Sequence, residues 1–169
     1  MSDLDRLRGR VEPGRPRLPE SYGVPTSSEG MLSWSHVSER MSSPRNYWLS
    51  TTRPDGRPHA VPVWGVWLDE AFYFGTDRHS RKGRNLATNP GLVVHLESGD
   101  DVVILEGVAE EVADPSLLAR IGDVYAAKYE LSEGIPATAV VYTLRPRVAH
   151  AWLESNFVES ATRWLFGRG

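Results

Sequence analysis

Cysteine is absent from the 169-residue sequence. This excludes disulfide bonds, thiol redox chemistry, thiolate zinc sites and cysteine nucleophiles. The sequence also lacks the run of about 18 apolar residues that a membrane-spanning helix needs. The N-terminal residues 1–6, MSDLDR, contain no apolar stretch of the kind found in secretory signals. We therefore expect a cytoplasmic protein that does not bind membranes.

An excess of positive charge is also missing. The 19 basic residues are outnumbered by 22 acidic ones, which gives a formal net charge of −3. A general nucleic-acid binder needs a strong basic excess, so nucleic acid is not expected as a partner. Among the basic residues, only Lys82 and Lys128 are lysines.

The common catalytic motifs do not occur. The sequence has no HExxH zinc motif, no GxSxG nucleophile elbow, no phosphate-binding P-loop and no GxGxxG dinucleotide fingerprint. None of the five histidines pairs with another at metal-ligand spacing. We therefore assign no catalytic side chain and predict no metal site.

The first 30 residues differ in composition from the rest. Arginine and proline are frequent there, and large apolar residues are few. Such a segment buries too little surface to offset the entropy lost on ordering. The prediction is a flexible N-terminal arm over residues 1–30, followed by a single domain over residues 31–169.

The domain alternates short helical and extended patterns. A helix is predicted over residues 31–44, capped by Ser33, and others are predicted over residues 80–88 and after Asp114. Seven strands are predicted, over residues 47–52, 59–68, 71–76, 92–97, 101–112, 139–144 and 148–153. Short turns join many of them, so the sheet is expected to be antiparallel. Because closure removes exposed sheet edges, we predict a mainly β fold, a small barrel with peripheral helices.

The densest polar cluster begins at Ser80. Ser80, Arg81, Lys82 and Asn85 occupy the start of a predicted helix, directly after a strand that ends at Thr76. A helix N-terminus offers unpaired N–H groups and partial positive charge, and cations placed there are unfavourable unless an anion is bound. The pattern favours a phosphate site, although a solvated basic helix face has the same sequence signature.

Pro62 is unusual because it lies within a predicted strand between two valines. Proline removes a hydrogen-bond donor from a sheet, so it indicates an edge strand or a bulge. A bulge frees backbone groups to meet a ligand, whereas an edge strand needs no ligand. Both interpretations stay open from the sequence.

These motifs together resemble a known family. Residues 48–52, Pro-Asp-Gly at 54–56, Pro-Val-Trp at 62–64, Phe-Gly-Thr at 74–76 and Ser-Arg-Lys at 80–82 resemble the pyridoxamine 5′-phosphate oxidase-like split β-barrel superfamily. Within it, the sequence is most similar to the flavin and deazaflavin (coenzyme F420) oxidoreductases. The similarity covers residues 40–153, and the Ser-Arg-Lys motif is its most specific element.

The resemblance implies an FMN-binding-like split β-barrel of six to seven antiparallel strands that forms a homodimer with two cofactor sites at its interface. The cofactor phosphate would be held at the helix start, and its ring would lie along the strand that contains Pro62. Trp152 and Arg163 are further candidates that could reach the partner's site. The cofactor-binding residues implied are His59, Pro62, Val63, Trp64, Phe74, Gly75, Thr76, Ser80, Arg81, Lys82, Asn85 and Trp164.

The function implied is hydride transfer from reduced coenzyme F420 to a small conjugated organic acceptor. The cofactor carries this chemistry, which fits the lack of a protein nucleophile; His59 or Tyr73 could supply a proton. The alternatives are an FMN-dependent oxidase or reductase, and a barrel that binds haem or another planar ligand without turnover, with His59, His95 or His150 as axial ligand. F420 has an acidic tail, for which Arg53, Arg57 and Arg78 are candidate partners.

Overall fold

A computed structural model describes residues 11–167. Within that range the chain forms nine strands and four helices. The strands are β1 (Val11–Gly14), β2 (Tyr47–Thr52), β3 (Pro58–Val63), β4 (Val66–Leu68), β5 (Ala71–Thr76), β6 (Gly91–His95), β7 (Asp101–Glu111), β8 (Val140–Leu153) and β9 (Thr162–Phe166). The helices are α1 (Trp34–Ser42), α2 (Arg81–Thr88), α3 (Pro115–Tyr129) and α4 (Phe157–Ser160).

Local sequence accounts for where the three longer helices begin. Ser33, Ser80 and Asp114 each accept a hydrogen bond from a backbone N–H in the first turn of α1, α2 and α3, respectively. Pro115 occupies the first position of α3, where its missing N–H costs nothing. The caps predicted at Ser33 and Asp114 are confirmed, and of the two candidates that the sequence offers for α2, Ser80 and Asp77, the cap is Ser80.

The strands form one antiparallel sheet in the order β1-β9-β8-β7-β6-β2-β3, with β5 on β8 and β4 on β5. β8 has 14 residues and pairs along its length with β7. Its other edge pairs first with β5 and then with β9. Only Trp64 and Gly65 separate β3 from β4. The chain therefore connects β3, at one end of the strand order, directly to β4, the last strand of the branch on β8.

The main hydrophobic core lies inside this curved sheet, under α1. Val37 and Met41 of α1 are fully buried against β-strand residues such as Leu49, Phe72 and Val94. A smaller cluster joins α3 to β4, β5 and β8 through Ile121, and it includes Val66, Tyr73 and Val141. The mainly β, antiparallel fold with peripheral helices is therefore confirmed.

Three features of the sheet differ from the sequence prediction. The segment 59–68 is divided into β3 and β4 at Trp64–Gly65, whereas residues 140–153 form one strand and not two. β8 tolerates Pro146 because Arg147 is an extra residue in a bulge opposite Glu106 and Gly107. With β1 and β9 added, the count is nine strands in the described residues and not six to seven.

Part of the segment expected to form a flexible arm over residues 1–30 is paired with the rest of the chain. β1 pairs with β9, with Val11 opposite Phe166. Arg15 then donates hydrogen bonds to the carbonyl oxygens of Ser27, Glu29, Glu159 and Ala161. These long-range bonds hold the segment after β1 against the end of the chain, and periodicity could not reveal them. Residues 1–10 lie outside the described residues.

Pro62 lies on an edge strand, as one of the two sequence interpretations requires. In the described part of the chain, β3 pairs with β2 alone, and their register runs without a shift from Tyr47–Val63 to Thr52–Pro58. The proline therefore marks an edge and not a bulge. None of the described helices is long and apolar enough to cross a membrane.

Candidate functional site

The start of α2 is built around the side chain of Ser80. Its hydroxyl oxygen accepts a hydrogen bond from the N–H of Gly83 (3.1 Å), and it lies 2.9 Å from the hydroxyl of Thr76 at the end of β5. The Ser80 carbonyl accepts from the N–H of Arg84 (3.0 Å). The N–H groups of Arg81 and Lys82 are the remaining first-turn donors, and helical geometry gives them no partner within the helix.

Gly83 allows this helix start to pack closely on the loop before it. A Cβ at this position would collide with the carbonyl oxygens of Asp77 and Arg78, the latter at 2.8 Å. The loop therefore wraps tightly around the first turn of α2. Only glycine permits that approach.

Three cations surround this helix start: Arg53, Arg81 and Lys82, called here the cationic cluster. Their charges act together on His59 of β3: burial and then Arg53, Arg81 and Lys82 lower the pKa of His59. Desolvation also lowers the pKa of Lys82, which is half-buried. Neither Arg81 nor Lys82 forms an ion pair within residues 11–167.

One carboxylate lies near the cluster. Asp55 is exposed, and its pKa is lowered first by hydrogen bonds from Arg57 and then by the charges of Arg53 and Arg81. The Asp55–Arg57 ion pair is 2.7 Å long. Since Asp55 already has this partner, the cationic cluster keeps an excess of positive charge.

Asn85 lies directly behind the helix start and is fully buried. Its amide nitrogen donates to the hydroxyl of Thr51 on β2 (2.9 Å), and that hydroxyl lies 3.5 Å from the Nδ1 of His59. The Asn85 Oδ1 atom is buried with no hydrogen-bond partner in the described protein. A buried acceptor without a donor is costly, so this atom indicates where a ligand or water donor completes the site.

Six of the predicted cofactor residues thus come together at one end of β3. A phosphate group fits this arrangement, because the free N–H groups, the cationic cluster and a cap hydroxyl are all donors or positive charges. The sequence prediction missed Thr51, whose place opposite His59 depends on strand register and carries no separate signal. The six predicted cofactor-binding residues that come together are His59, Thr76, Ser80, Arg81, Lys82 and Asn85.

The other predicted residues on β3 continue away from this cluster. Pro62 is exposed on the edge strand, whereas Val63 faces the core. Trp64 follows at the break before β4 and keeps 36% of its surface exposed. A ligand that extends from the cationic cluster along β3 can therefore reach Pro62 and Trp64, but the side chain of Val63 is turned inward.

Two of the predicted cofactor-binding residues on β5 expose little surface to a ligand. Phe74 is fully buried between Phe72 and Tyr142. A Cβ on Gly75 would lie 2.7 Å from the Cγ2 of Ile135, so this position is covered by the loop after α3. The Phe74 ring belongs to the core, so a cofactor that contacts this residue would meet its backbone.

Trp164 also requires correction. It was expected to bind cofactor, but its ring is only 2% exposed and packs edge-on against Trp34 at 5.5 Å. β9 carries it into the core as the partner of Ala149 on β8. Trp152 is half-buried against Phe157 of α4. Arg163 lies opposite His150 where β8 pairs with β9. Both residues therefore lie close to the C-terminal segment of the described chain.

The arginines suggested for an acidic cofactor tail are only partly available. Arg57 is paired with Asp55, and Arg78 forms a 2.6 Å ion pair with Glu111. Arg53 alone belongs to the cationic cluster, and its buried Nε has no hydrogen-bond partner in the described residues. Among residues 11–167, no three histidine, aspartate or glutamate side chains cluster in a way that could hold a metal ion.

A second polar network, which the sequence did not predict, holds the break between β3 and β4. The ammonium of Lys128 donates to the Tyr47 hydroxyl (2.7 Å) and to the Gly65 carbonyl (2.9 Å). The N–H of Gly65 donates to the Tyr129 hydroxyl, which lies 2.8 Å from the Arg45 carbonyl and can donate to it. Lys128 and Tyr129 of α3 therefore satisfy both backbone groups of Gly65.

Fold and site together define a class of protein. A curved antiparallel sheet with peripheral helices carries a cationic, glycine-dependent helix start at one end of an edge strand, and related folds are split β-barrels. Residues 34–152 match the family described as pyridoxamine 5′-phosphate oxidase, and the chain belongs to this family.

Curated relatives carry the same family name. A pyridoxine/pyridoxamine 5′-phosphate oxidase from Cupriavidus taiwanensis is 32% identical over 127 residues, which cover 72% of this chain and 58% of the relative. A Cupriavidus pinatubonensis enzyme of the same name is 34% identical over 61% of this chain and 48% of its own length. The chain therefore matches about half the length of these relatives.

Solved structures are similar in fold. A conserved hypothetical protein, Rv2991, from Mycobacterium tuberculosis has a TM-score of 0.64 at 27% identity, covering 72% of this chain and 85% of that one. An F420 reductase has a TM-score of 0.53 at 24% identity, covering 66% and 94%. A haem-binding protein from Mycobacterium smegmatis has a TM-score of 0.55 at 24% identity, covering 76% and 54%.

Proposed function

We propose that this protein is an oxidoreductase that binds the phosphate of coenzyme F420 at the start of α2 and passes a hydride to a conjugated organic acceptor. The observation that carries the proposal is the cationic cluster around a helix start whose first N–H groups have no partner in the helix. Membership of an oxidase family and a fold shared with an F420 reductase support it.

In this proposal the protein binds and orients, and the cofactor supplies the hydride chemistry. Arg81, Lys82 and the free N–H groups of α2 hold the phosphate. Asn85 Oδ1 accepts a hydrogen bond from a donor of the ligand or its bound water. The backbone of β3 near Pro62 borders the ring and helps to keep water from one face. Burial and the charges of Arg53, Arg81 and Lys82 lower the pKa of His59, which disfavours its protonated form.

FMN is the alternative cofactor on the same site, since it carries the same phosphate. The F420 tail offers extra carboxylates to Arg53, whereas FMN has no such group. If replacing Arg53 by Gln weakens F420 binding more than FMN binding, the result favours the deazaflavin. In either case we propose a homodimer that works in the cytoplasm, with the partner subunit completing the site.

The decisive experiment is a fluorescence titration of the protein with oxidised F420 and, separately, with FMN. Replacing Arg81 and Lys82 together by Ala removes two charge-assisted contacts, so binding should weaken by roughly 3 kcal/mol or more, about a hundredfold. The matched control replaces Arg120 and Arg145 by Ala. This control removes the same amount of charge, but these arginines pair with Asp69 and Glu110 and not with the cationic cluster. Equal affinity in both double variants contradicts the phosphate assignment.

The haem alternative is tested in the same samples. Haem addition that produces a Soret band, lost on replacing His59, His95 or His150 by Ala, would replace the oxidoreductase proposal. In the described protein, His95 Nδ1 lies 2.8 Å from the Leu96 carbonyl and His150 lies 3.8 Å from Glu106. An Nδ1 that donates to a carbonyl leaves the Nε2 of His95 able to bind iron, so the Soret band decides between haem and the phosphate-bearing cofactor.

A further inference from the structure

Trp64 is the one tryptophan that is strongly exposed among the described residues, with 36% of its surface accessible. It lies at the break between β3 and β4, where the chain leaves the edge strand. A large apolar ring at the surface gains little from folding, and it becomes useful where it meets a ligand. It lies at the end of the strand along which the proposed cofactor extends.

The indole of Trp64 is held in one orientation from below. It stacks on the ring of Tyr129 with centroids 4.4 Å apart and an interplanar angle of 6°. Tyr125 packs in turn against Tyr129 at 4.7 Å. We call Trp64, Tyr125 and Tyr129 the aromatic shelf. The backbone beside it is fixed as well, since Tyr129 bonds the N–H of Gly65.

The other face of the Trp64 ring has no aromatic partner among the described residues. Tyr125 is 6.3 Å from Trp64 but only 4.7 Å from Tyr129, so it lies on the covered side. The guanidinium of Arg45 is 5.0 Å from the Trp64 centroid and 5.6 Å from that of Tyr129. A group nearly equidistant from two stacked rings lies beside the stack and not on top of it. The exposed area of Trp64 therefore includes a flat ring face.

Arg45 adds a charge at the edge of that face. It is exposed and forms no ion pair within residues 11–167. Its guanidinium lies within 5.6 Å of both ring centroids, at the side of the stack. A flat apolar surface with a guanidinium at one edge is complementary to a planar molecule that carries a carboxylate.

The shelf and the cationic cluster lie at opposite ends of the same strand. His59 and Trp64 are five residues apart in an extended segment, a span of about 16 Å. A cofactor held by its phosphate near His59 and extending along β3 brings its ring towards Trp64. We propose that the open face of Trp64 binds the electron acceptor, and that this acceptor is a planar conjugated molecule carrying a carboxylate.

This inference rests on the proposed function, because that function makes the bound molecule an electron acceptor. Binding of the molecule is tested without turnover. The probes are coumarin-3-carboxylate and its uncharged relative coumarin, both planar and conjugated, titrated calorimetrically into the full chain. Trp64→Leu removes the ring and keeps an apolar side chain, and Arg45→Gln removes the charge. Tyr22→Leu is the control, because Tyr22 is 53% exposed and packs on Phe157, outside both sites.

Three results are expected. Trp64→Leu weakens binding of both probes at least tenfold. Arg45→Gln removes the preference for the carboxylate and leaves coumarin binding unchanged. Tyr22→Leu changes neither. Equal probe affinity in the wild-type protein and Trp64→Leu overturns the proposal, and so does a Trp64→Leu protein that loses its dimer while probe binding is unaffected, since the shelf would then be a contact between two copies.

The failure of this inference and the failure of the proposed function give different results. If the cofactor assignment is wrong, neither F420 nor FMN binds the wild-type protein, whatever the coumarin probes do. If only the acceptor site is wrong, F420 or FMN binds and depends on Arg81 and Lys82, but Trp64→Leu leaves the probe affinities unchanged. Melting curves of each variant identify any protein that has failed to fold.

Discussion

The ammonium of Lys128 lies 2.9 Å from the carbonyl oxygen of Gly65, at the point where the edge strand ends. Gly65 cannot be replaced easily, because a Cβ there would lie 2.5 Å from the ring of Phe72. The same ammonium lies 4.6 Å from the centre of the Tyr47 ring. Lys128 thus connects α3, β2 and the β3–β4 break, and the position of Trp64 depends on this connection.

The first prediction concerns pH. Desolvation lowers the pKa of Lys128 to about 8 in the folded protein, whereas an unfolded lysine titrates at about 10.4. Between these values the unfolded state binds more protons, so the free energy of unfolding rises with pH. Lys128→Met should remove this part of the rise. Urea unfolding from about pH 7.5 to pH 9.5 measures it, below the range where tyrosines ionise.

The groups facing Lys128 do not change this sign. Tyr47 and Tyr129 are its nearest titratable neighbours, and burial raises the pKa of both hydroxyls above its usual value. Lys82 also has a lowered pKa and contributes a rise of the same sign, which Lys128→Met leaves intact. Identical pH slopes in the wild-type protein and the variant would contradict the prediction.

The second prediction tests the Tyr129 hydroxyl. Tyr129→Phe keeps the ring under Trp64 but leaves the buried N–H of Gly65 without its acceptor. The free energy of unfolding should fall by roughly 1–3 kcal/mol. Tyr125→Phe is the matched control, since no hydrogen bond of the Tyr125 hydroxyl occurs within the described residues. Chemical denaturation of both variants measures the difference, and equal losses would contradict the role given to Tyr129.

The third prediction separates capping from anion binding at α2. Ser80→Ala removes the acceptor of the Gly83 N–H and should cost about 1 kcal/mol in stability. Ser33→Ala removes the corresponding cap of α1, whose bond to the His36 N–H is 3.3 Å, and should cost a similar amount or less. Only Ser80→Ala should also weaken F420 or FMN binding. A loss of cofactor affinity in Ser33→Ala would indicate a general loss of folding.

The fourth prediction uses two helical glycines. Gly83→Ala should destabilise the protein, because the new methyl collides with backbone oxygens of the preceding loop. Gly122→Ala in α3 meets nothing within 4 Å and should stabilise by roughly 0.5–1 kcal/mol, the usual gain in a helix. Thermal melting of both variants measures the signs. Stabilisation by both would show that the loop before α2 can move aside.

Local signals were sufficient for much of the fold. β2 and β5 occur at the predicted residues because turns bound each of them, and Ser33, Ser80 and Asp114 cap helices as predicted. β1 was missed because a four-residue strand containing proline and glycine has no β signal of its own. Its pairing partner lies at the other end of the chain.

The site was predictable only where it is local. Ser80, Arg81 and Lys82 are adjacent in sequence, so their helix start was recognisable. Trp164 was misplaced because a tryptophan near the chain end has the same pattern in a core as at a binding site. Lys128 carried a weak signal, as one of only two lysines, but its contacts with Tyr47 and Gly65 join three distant segments and required coordinates.

The length of β8 has a consequence for how the chain folds as it is synthesised. β5 and β9 both pair with β8. Every residue of β7 pairs with β8 as well. A nascent chain that still holds residues 140–153 inside the ribosome leaves β5 and one edge of β7 without that partner. Both are then exposed sheet edges that can associate with other chains. These two edges can close only after residues 140–153 have left the ribosome.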